Sequence, residues 1–284
     1  MITQTILKDS CTRFSEKKAI VSASKQITYK ELEDLSEKLA VLLIENGTER
    51  GDRIGVYLPK SIEEVISIFA ISKAGGIFVL LNPVLKKNQV ERIANDCEIK
   101  MLISNSHKLR NIDNVRHGFR SISRIFLFEE CVEQIPNITS KKILPVYDLL
   151  EKTKDCLIQH SCIPSGIATI IYTSGCTGTP KGIMTTHQNL VEGAEIISNY
   201  LNMNNDDVIL SVLPFSFDYG LDQLLTTIRV GGTIVLHDFL FPEDTLKTIE
   251  ELKITGLAGV PAIWNRIVKI KNNTRDHDFT SLKY

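Results

Sequence analysis

Short apolar runs alternate with capped amphipathic segments along most of this chain, and that alternation limits the fold more than any other feature. Thr28-x-x-Glu31 and Ser61-x-x-Glu64 each have the form of a capping box, a hydroxyl and a carboxylate three residues apart that satisfy free N–H groups at a helix start. The first predicts the helix "YKELEDLSEKLAVLLIENG", closed by Gly47; the second predicts a helix ending near Gly75-Gly76. Between and after them lie "DRIGVYL" and "IFVLL", followed by the helix "NQVERIANDC", the strand "KMLIS", a helix over 106–118 and the strand "RIFLF". "AIVSASKQITY" reads as a β-hairpin arm. Strands this continuously apolar suit a parallel sheet covered on both faces.

Residues 129–165 lose the rhythm, mixing charges, prolines and a short helical "YDLLEKT". The pattern returns with a strand at 167–172, a glycine-rich loop, a helix at 188–201, "DVILSVL", a helix at 218–229, "GTIVLH", a helix at 242–252, "ITGLAGV" and a helix at 261–271. The expected fold class is α/β, two consecutive, mostly parallel sheets flanked by helices, with subdomains at 1–150 and 151–284 and the loop in the second.

Thirty-three basic against 34 acidic residues give a net charge of -1. No global field recruits nucleic acid or an anionic membrane, so an anion must be held locally. The apolar stretch from Val65 to Leu81 is broken by Lys73 and two glycines and falls short of the roughly 20 residues a bilayer span needs. The N-terminus lacks the unbroken apolar core of a signal peptide, so a cytoplasmic location is expected. Six cysteines without CxxC spacing indicate neither a zinc site nor a disulfide framework.

The loop "YTSGCTGTPKG" at 172–182 offers flexible glycines, hydroxyl donors and one lysine after an apolar strand. Read as strand, loop and helix, it would aim N–H groups and a helix dipole at a polyphosphate. Lys181 follows Pro180 and precedes Gly182, so the hydroxyl that a Walker A loop places after its lysine is missing. No strand is followed by G-x-G-x-x-G, which disfavours a dinucleotide-binding protein.

This loop resembles the signature of the AMP-forming adenylating superfamily: acyl-CoA synthetases, luciferases and nonribosomal peptide synthetase adenylation domains. Further matches occur in the family's order: "ITYKELEDLSEKLA", "GDRIGVYLPKS", "ISKAGGIFVLLNP", "LPFSFDYGLDQLL", "GGTIVL" and "TGLAGVPAIW", together spanning about residues 27–264. The resemblance implies a ligase that activates a fatty, aryl or amino acid with ATP as an acyl-adenylate, releases pyrophosphate, and passes the acyl group to CoA or a carrier phosphopantetheine. It implies a phosphate clamp of Thr173, Ser174, Gly175, Cys176, Thr177, Gly178 and Lys181. Cys176 departs from the family's Ser or Thr; a thiol is the weaker donor, and a tolerated small residue is favoured over a nucleophile. Phe217, Asp218 and Gly259 would line the acid pocket. Asp218 has two readings, a partner for a substrate α-ammonium group or a helix N-cap.

The resemblance also implies groups that these 284 residues do not include. They are an adenine-binding glycine segment, a Mg²⁺-coordinating Glu in Tyr-Gly-x-Thr-Glu, an Asp on the ribose, and a catalytic lysine in a mobile C-terminal domain. Metal ligands are therefore expected to be none here, and adenylation by the isolated chain negligible. A non-catalytic remnant, or one half of a split enzyme with a separate C-terminal partner, is the competing expectation.

Overall fold

The computed structural model describes all residues except 24, 113–118, 130–141, 154–161, 175–179 and 271–276. Its contacts divide the chain into two compact units, Met1–Thr5 with Leu32–Leu190, and Ile6–Glu31 with Val191–Tyr284.

The first unit is built on a seven-stranded sheet. Its strands are β3 (Arg53–Tyr57), β4 (Ile77–Leu80), β5 (Met101–Ser104), β6 (Arg124–Leu127), β7 (Lys142–Pro145), β8 (Ile167–Ser174) and β9 (Pro180–Thr186), in the order β7-β6-β5-β3-β4-β8-β9. Every neighbouring pair is parallel except the β8–β9 hairpin. α3 (Ile62–Lys73), α4 (Lys87–Asp96) and α5 (Ser106–Asn111) connect successive strands, and α6 (Val146–Lys152) follows β7. Ser61 caps α3 as its spacing predicts, accepting from Glu64 N at 3.2 Å. On one face of this sheet Tyr57, Val79, Leu102, Ile125 and Leu127 share a core with Val90, Ile93 and Ala94 of α4.

The second unit carries a four-stranded sheet, β10-β11-β1-β2, formed by β1 (Lys18–Val21), β2 (Gln26–Thr28), β10 (Val208–Ser211) and β11 (Thr233–Leu236). α8 (Asp218–Val230), α9 (Pro242–Glu251) and α10 (Pro261–Val268) belong to it. α1 (Thr3–Phe14), α2 (Tyr29–Glu45) and α7 (His187–Tyr200) run from one unit into the other. The Thr28 box opens α2: Thr28 N donates to Glu31 Oε2 at 2.7 Å and Glu31 N to Thr28 Oγ1 at 3.2 Å.

The two sheets match the expected fold class, but the division of the chain does not fall at 150/151. β8 pairs in parallel with β4, and Thr169 Oγ1 donates to Phe78 O at 2.7 Å, so the strands flanking the glycine-rich loop belong to the first unit. The β1–β2 hairpin moves the other way, since β1 pairs in parallel with β11 through Ile20↔Ile234 and Val21↔Val235. "ITGLAGV" makes an isolated bridge, Ile209↔Gly256, in place of the expected strand.

Candidate functional site

The glycine-rich loop is the tip of a β-hairpin. β8 and β9 pair antiparallel with Tyr172↔Gly182, Thr173↔Lys181 and Ser174↔Pro180 in register. This corrects the strand-loop-helix reading: β9 follows the loop, and α7 begins only at His187. Gly175, Cys176, Thr177 and Gly178 lie outside the described residues.

Of the remaining expected clamp residues, Thr173 is half-buried and Lys181 is exposed beside the tip. No ion pair among the described residues neutralises Lys181. Gly182 is required by packing: a Cβ there would meet Ile170 Cγ2 at 2.8 Å and Tyr172 Cζ at 3.1 Å. Tyr172 anchors the hairpin near its tip by donating its hydroxyl to Asp96 Oδ2 at 2.5 Å. Burial, then that bond, pushes the Tyr172 hydroxyl far above the ordinary phenol range.

The residues expected to line an acid pocket lie in the second unit. The chain leaves β10 through Val212 and Leu213 and turns at "PFSF" into α8, whose N-cap is Phe217. Asp218 is thus the first helical residue, not the cap, and its Oδ1 accepts from Tyr219 N at 2.8 Å. Gly220 sits where a Cβ would meet Pro214 O at 2.2 Å, so glycine is needed for the turn to close onto the helix. Gly259 is half-buried, and Trp264 Nε1 donates to its carbonyl at 3.0 Å.

A cavity of about 180 Å³ opens between α7, β10, α8 and the Gly256–Ala258 stretch. Tyr219 and Ala258 line it, one residue from Asp218 and from Gly259; Phe217, Asp218 and Gly259 themselves do not. Its α8 wall consists of Tyr219, Asp222, Gln223, Thr226 and Thr227, against Ile197 and Ile209. The Asp222 carboxyl is pushed up to about 6, first by burial and then by the neighbouring Asp218 charge. Gln223 Oε1 and Nε2 and Thr226 Oγ1 are buried without a hydrogen-bond partner among the described residues. Sequence reasoning missed Asp222, Gln223 and Thr226. Their signal was the spacing 219, 222, 223, 226, which places four hydrogen-bonding side chains on one face of a helix.

Among the described residues no group of three or more His, Cys, Asp or Glu side chains is arranged to hold a metal ion. Nor is any described helix long and apolar enough to cross a membrane.

Comparison with known proteins settles the family. The description "AMP-binding enzyme" matches residues 7–284. The chain belongs to the AMP-binding enzyme family. A long-chain-fatty-acid–CoA ligase of Bacillus subtilis is 28% identical over 301 residues, covering 99% of this chain and 54% of the relative. Syringomycin synthase SyrB1 of Pseudomonas syringae pv. syringae is 28% identical over 260 residues, covering 90% of this chain and 39% of the synthase. The chain therefore spans about half, or less, of the length of these curated relatives. Among solved structures, the anthranilate CoA ligase AuaEII in complex with anthranoyl-AMP superposes with a TM-score of 0.90 at 24% identity, covering 99% of this chain and 54% of that one. A likeness at that identity shows the shared fold.

Proposed function

We propose that this chain holds ATP and a carboxylic acid in an acid–thiol ligase that forms an acyl-adenylate, releases pyrophosphate and passes the acyl group to CoA or a carrier phosphopantetheine. Membership of the AMP-binding family supports the reaction class. The observation that carries the nucleotide role is Lys181: an exposed cation beside a hairpin tip, directly across the ladder from the hydroxyl-bearing Thr173, with no described carboxylate consuming its charge.

A carboxylate repels a triphosphate, so a site that joins them must screen charge and fix the attacking oxygen in line with the α-phosphorus. Lys181 and Thr173 supply screening and hydrogen bonds on the hairpin, with Ser174, Gly175, Cys176, Thr177 and Gly178 completing the clamp. Packing Tyr172 and Gly182 against each other keeps that hairpin in register near its tip. Phe217, Asp218 and Gly259 border the acid through their neighbours Tyr219 and Ala258 on the cavity wall. ATP brings the electrophilic phosphorus and the pyrophosphate leaving group; a Mg²⁺ accompanying it takes no ligand set from the described residues.

Thermal unfolding with and without ATP tests the reading. At ten times its dissociation constant, ATP stabilises the chain by about 1.4 kcal/mol through linkage. Lys181→Ala weakens binding about tenfold or more and lowers that stabilisation, while the nucleotide-free midpoint stays unchanged. A wild-type chain indifferent to millimolar ATP refutes the nucleotide role.

A further inference from the structure

Asp96 is poorly placed for the helix it ends, and the role it takes instead rests on the proposed grip of ATP by the β8–β9 hairpin. It is the last residue of α4, where a carboxylate faces the negative end of the helix dipole, and that turn holds no basic residue to offset it. Among the described residues Asp96 makes one hydrogen bond, accepting from the Tyr172 hydroxyl at 2.5 Å. A residue that opposes its own helix and serves a strand 76 positions away is placed for the strand.

The hairpin needs that support. β9 is the edge of the seven-stranded sheet and pairs only with β8; Lys181, Gly182, Ile183 and Met184 are all exposed, so little packing holds this strand. Gly182 has no side chain to contribute, and the Tyr172 ring covers it from across the ladder: a Cβ at Gly182 would meet Tyr172 Cζ at 3.1 Å and its hydroxyl oxygen at 3.2 Å. An aromatic ring laid over an edge glycine supplies the packing that glycine lacks and pins the register there. The next rung toward the tip is Thr173↔Lys181, whose side chains leave the ladder on one face. The Tyr172 ring packs against the core that α4 shares with the sheet, and its hydroxyl end is tethered to Asp96. Without the tether the ring is free to turn off Gly182, and the rung that carries Lys181 loses its neighbour. We infer that Asp96 is a positioning residue for the hairpin: through the Tyr172 hydroxyl it holds the ring over Gly182, and so keeps the Lys181 ammonium and the Thr173 hydroxyl side by side for the polyphosphate of a nucleoside triphosphate.

Calorimetry with a non-hydrolysable ATP analogue on the 284-residue chain, together with hydrogen exchange across β9, tests this. Asp96→Ala and Tyr172→Phe each weaken analogue binding about fivefold and speed exchange in β9, and the double variant is no worse than either alone, because both remove the same bond. Asp96→Asn, whose amide oxygen still accepts, binds within about twofold of the wild type. The ligand-free thermal midpoint of Asp96→Ala is unchanged or slightly higher, since α4 sheds an unfavourable charge; a merely structural role would lower the midpoint and leave the affinity alone. The inference is overturned if folded Asp96→Ala binds the analogue within about twofold of the wild type, if the two single losses add, or if Asp96→Asn binds as weakly as Asp96→Ala. A wild-type chain that binds no analogue sinks the nucleotide reading and this inference with it; wild-type binding that Asp96→Ala retains sinks this inference alone.

Discussion

In the first unit Lys73 Nζ lies 2.6 Å from Glu33 Oε1, with side chains only 7% and 10% exposed, and Ser104 Oγ donates to Tyr57 O at 2.8 Å inside the sheet. In the second, Gln223 and Thr226 are as deeply buried and their polar atoms meet no partner among the described residues. Buried polarity in the first unit fastens α2 to α3 and strand to strand. Beside the cavity of the second, the Gln223 carboxamide and the Thr226 hydroxyl fasten nothing among the described residues, and each exposes almost no surface.

The largest effect comes from breaking the buried ion pair of the first unit. Lys73→Ala strands a carboxylate at Glu33, with Glu37 3.6 Å from the same ammonium, and should destabilise the first unit by about 3–5 kcal/mol in urea unfolding. A loss under about 1 kcal/mol, the range of exposed pairs, would mean that water already reaches this one.

A sharper contrast lies in pH. His187 is buried with Nδ1 accepting from Thr3, and burial lowers its ring to about 4 from 6.5. Between those values the unfolded chain binds a proton that the folded one refuses, so stability is lost as pH falls from about 6.5 toward 4, by up to about 3 kcal/mol. Asp222 is raised from 3.8 to about 6, so its folded form keeps a proton that the unfolded chain releases. Its contribution is present at low pH and lost as pH rises through that window, by less because the carboxyl is partly solvated. Hydrogen exchange resolved by unit should show the two slopes opposed, with His187→Gln flattening the first and Asp222→Asn the second. Slopes of one sign in both units would break the comparison.

Gly220→Ala forces a Cβ to within 2.2 Å of Pro214 O and should cost the second unit about 1–3 kcal/mol by differential scanning calorimetry. Smallest, and opposite in sign, is Gln223→Met. Removing orphaned polar atoms in favour of a similar-sized apolar chain should stabilise the ligand-free protein by about 1 kcal/mol. A loss of stability would show that the carboxamide is satisfied after all.

Much of the secondary structure was legible because its signals are local. The Thr28 and Ser61 boxes, Gly47 at φ 87° and Gly75 at φ 79° mark helix ends through interactions within a turn. The β1–β2 hairpin was legible for the same reason, while its sheet was not. β9 escaped notice because "PKGIMTT" is an edge strand with exposed residues on both faces, so it shows no alternation. α1 was hidden too: Ile6 and Leu7 bury against the protein, and Ser10 donates to Ile228 O at 2.6 Å, a partner 218 residues away. Asp218 was singled out by resemblance, whereas Asp222, Gln223 and Thr226 matter only because α7, β10 and the 256–258 stretch fold over that face of α8.

The order of strands and helices, the position of the glycine-rich loop and the family itself were fixed by residues within a few places of one another, since caps, turns and periodicity act over single turns of chain. Which sheet each strand joined, the hairpin form of the loop and the unpaired wall beside α8 were decided only in three dimensions, where Ile20 of β1 pairs with Ile234 of β11 across most of the chain's length.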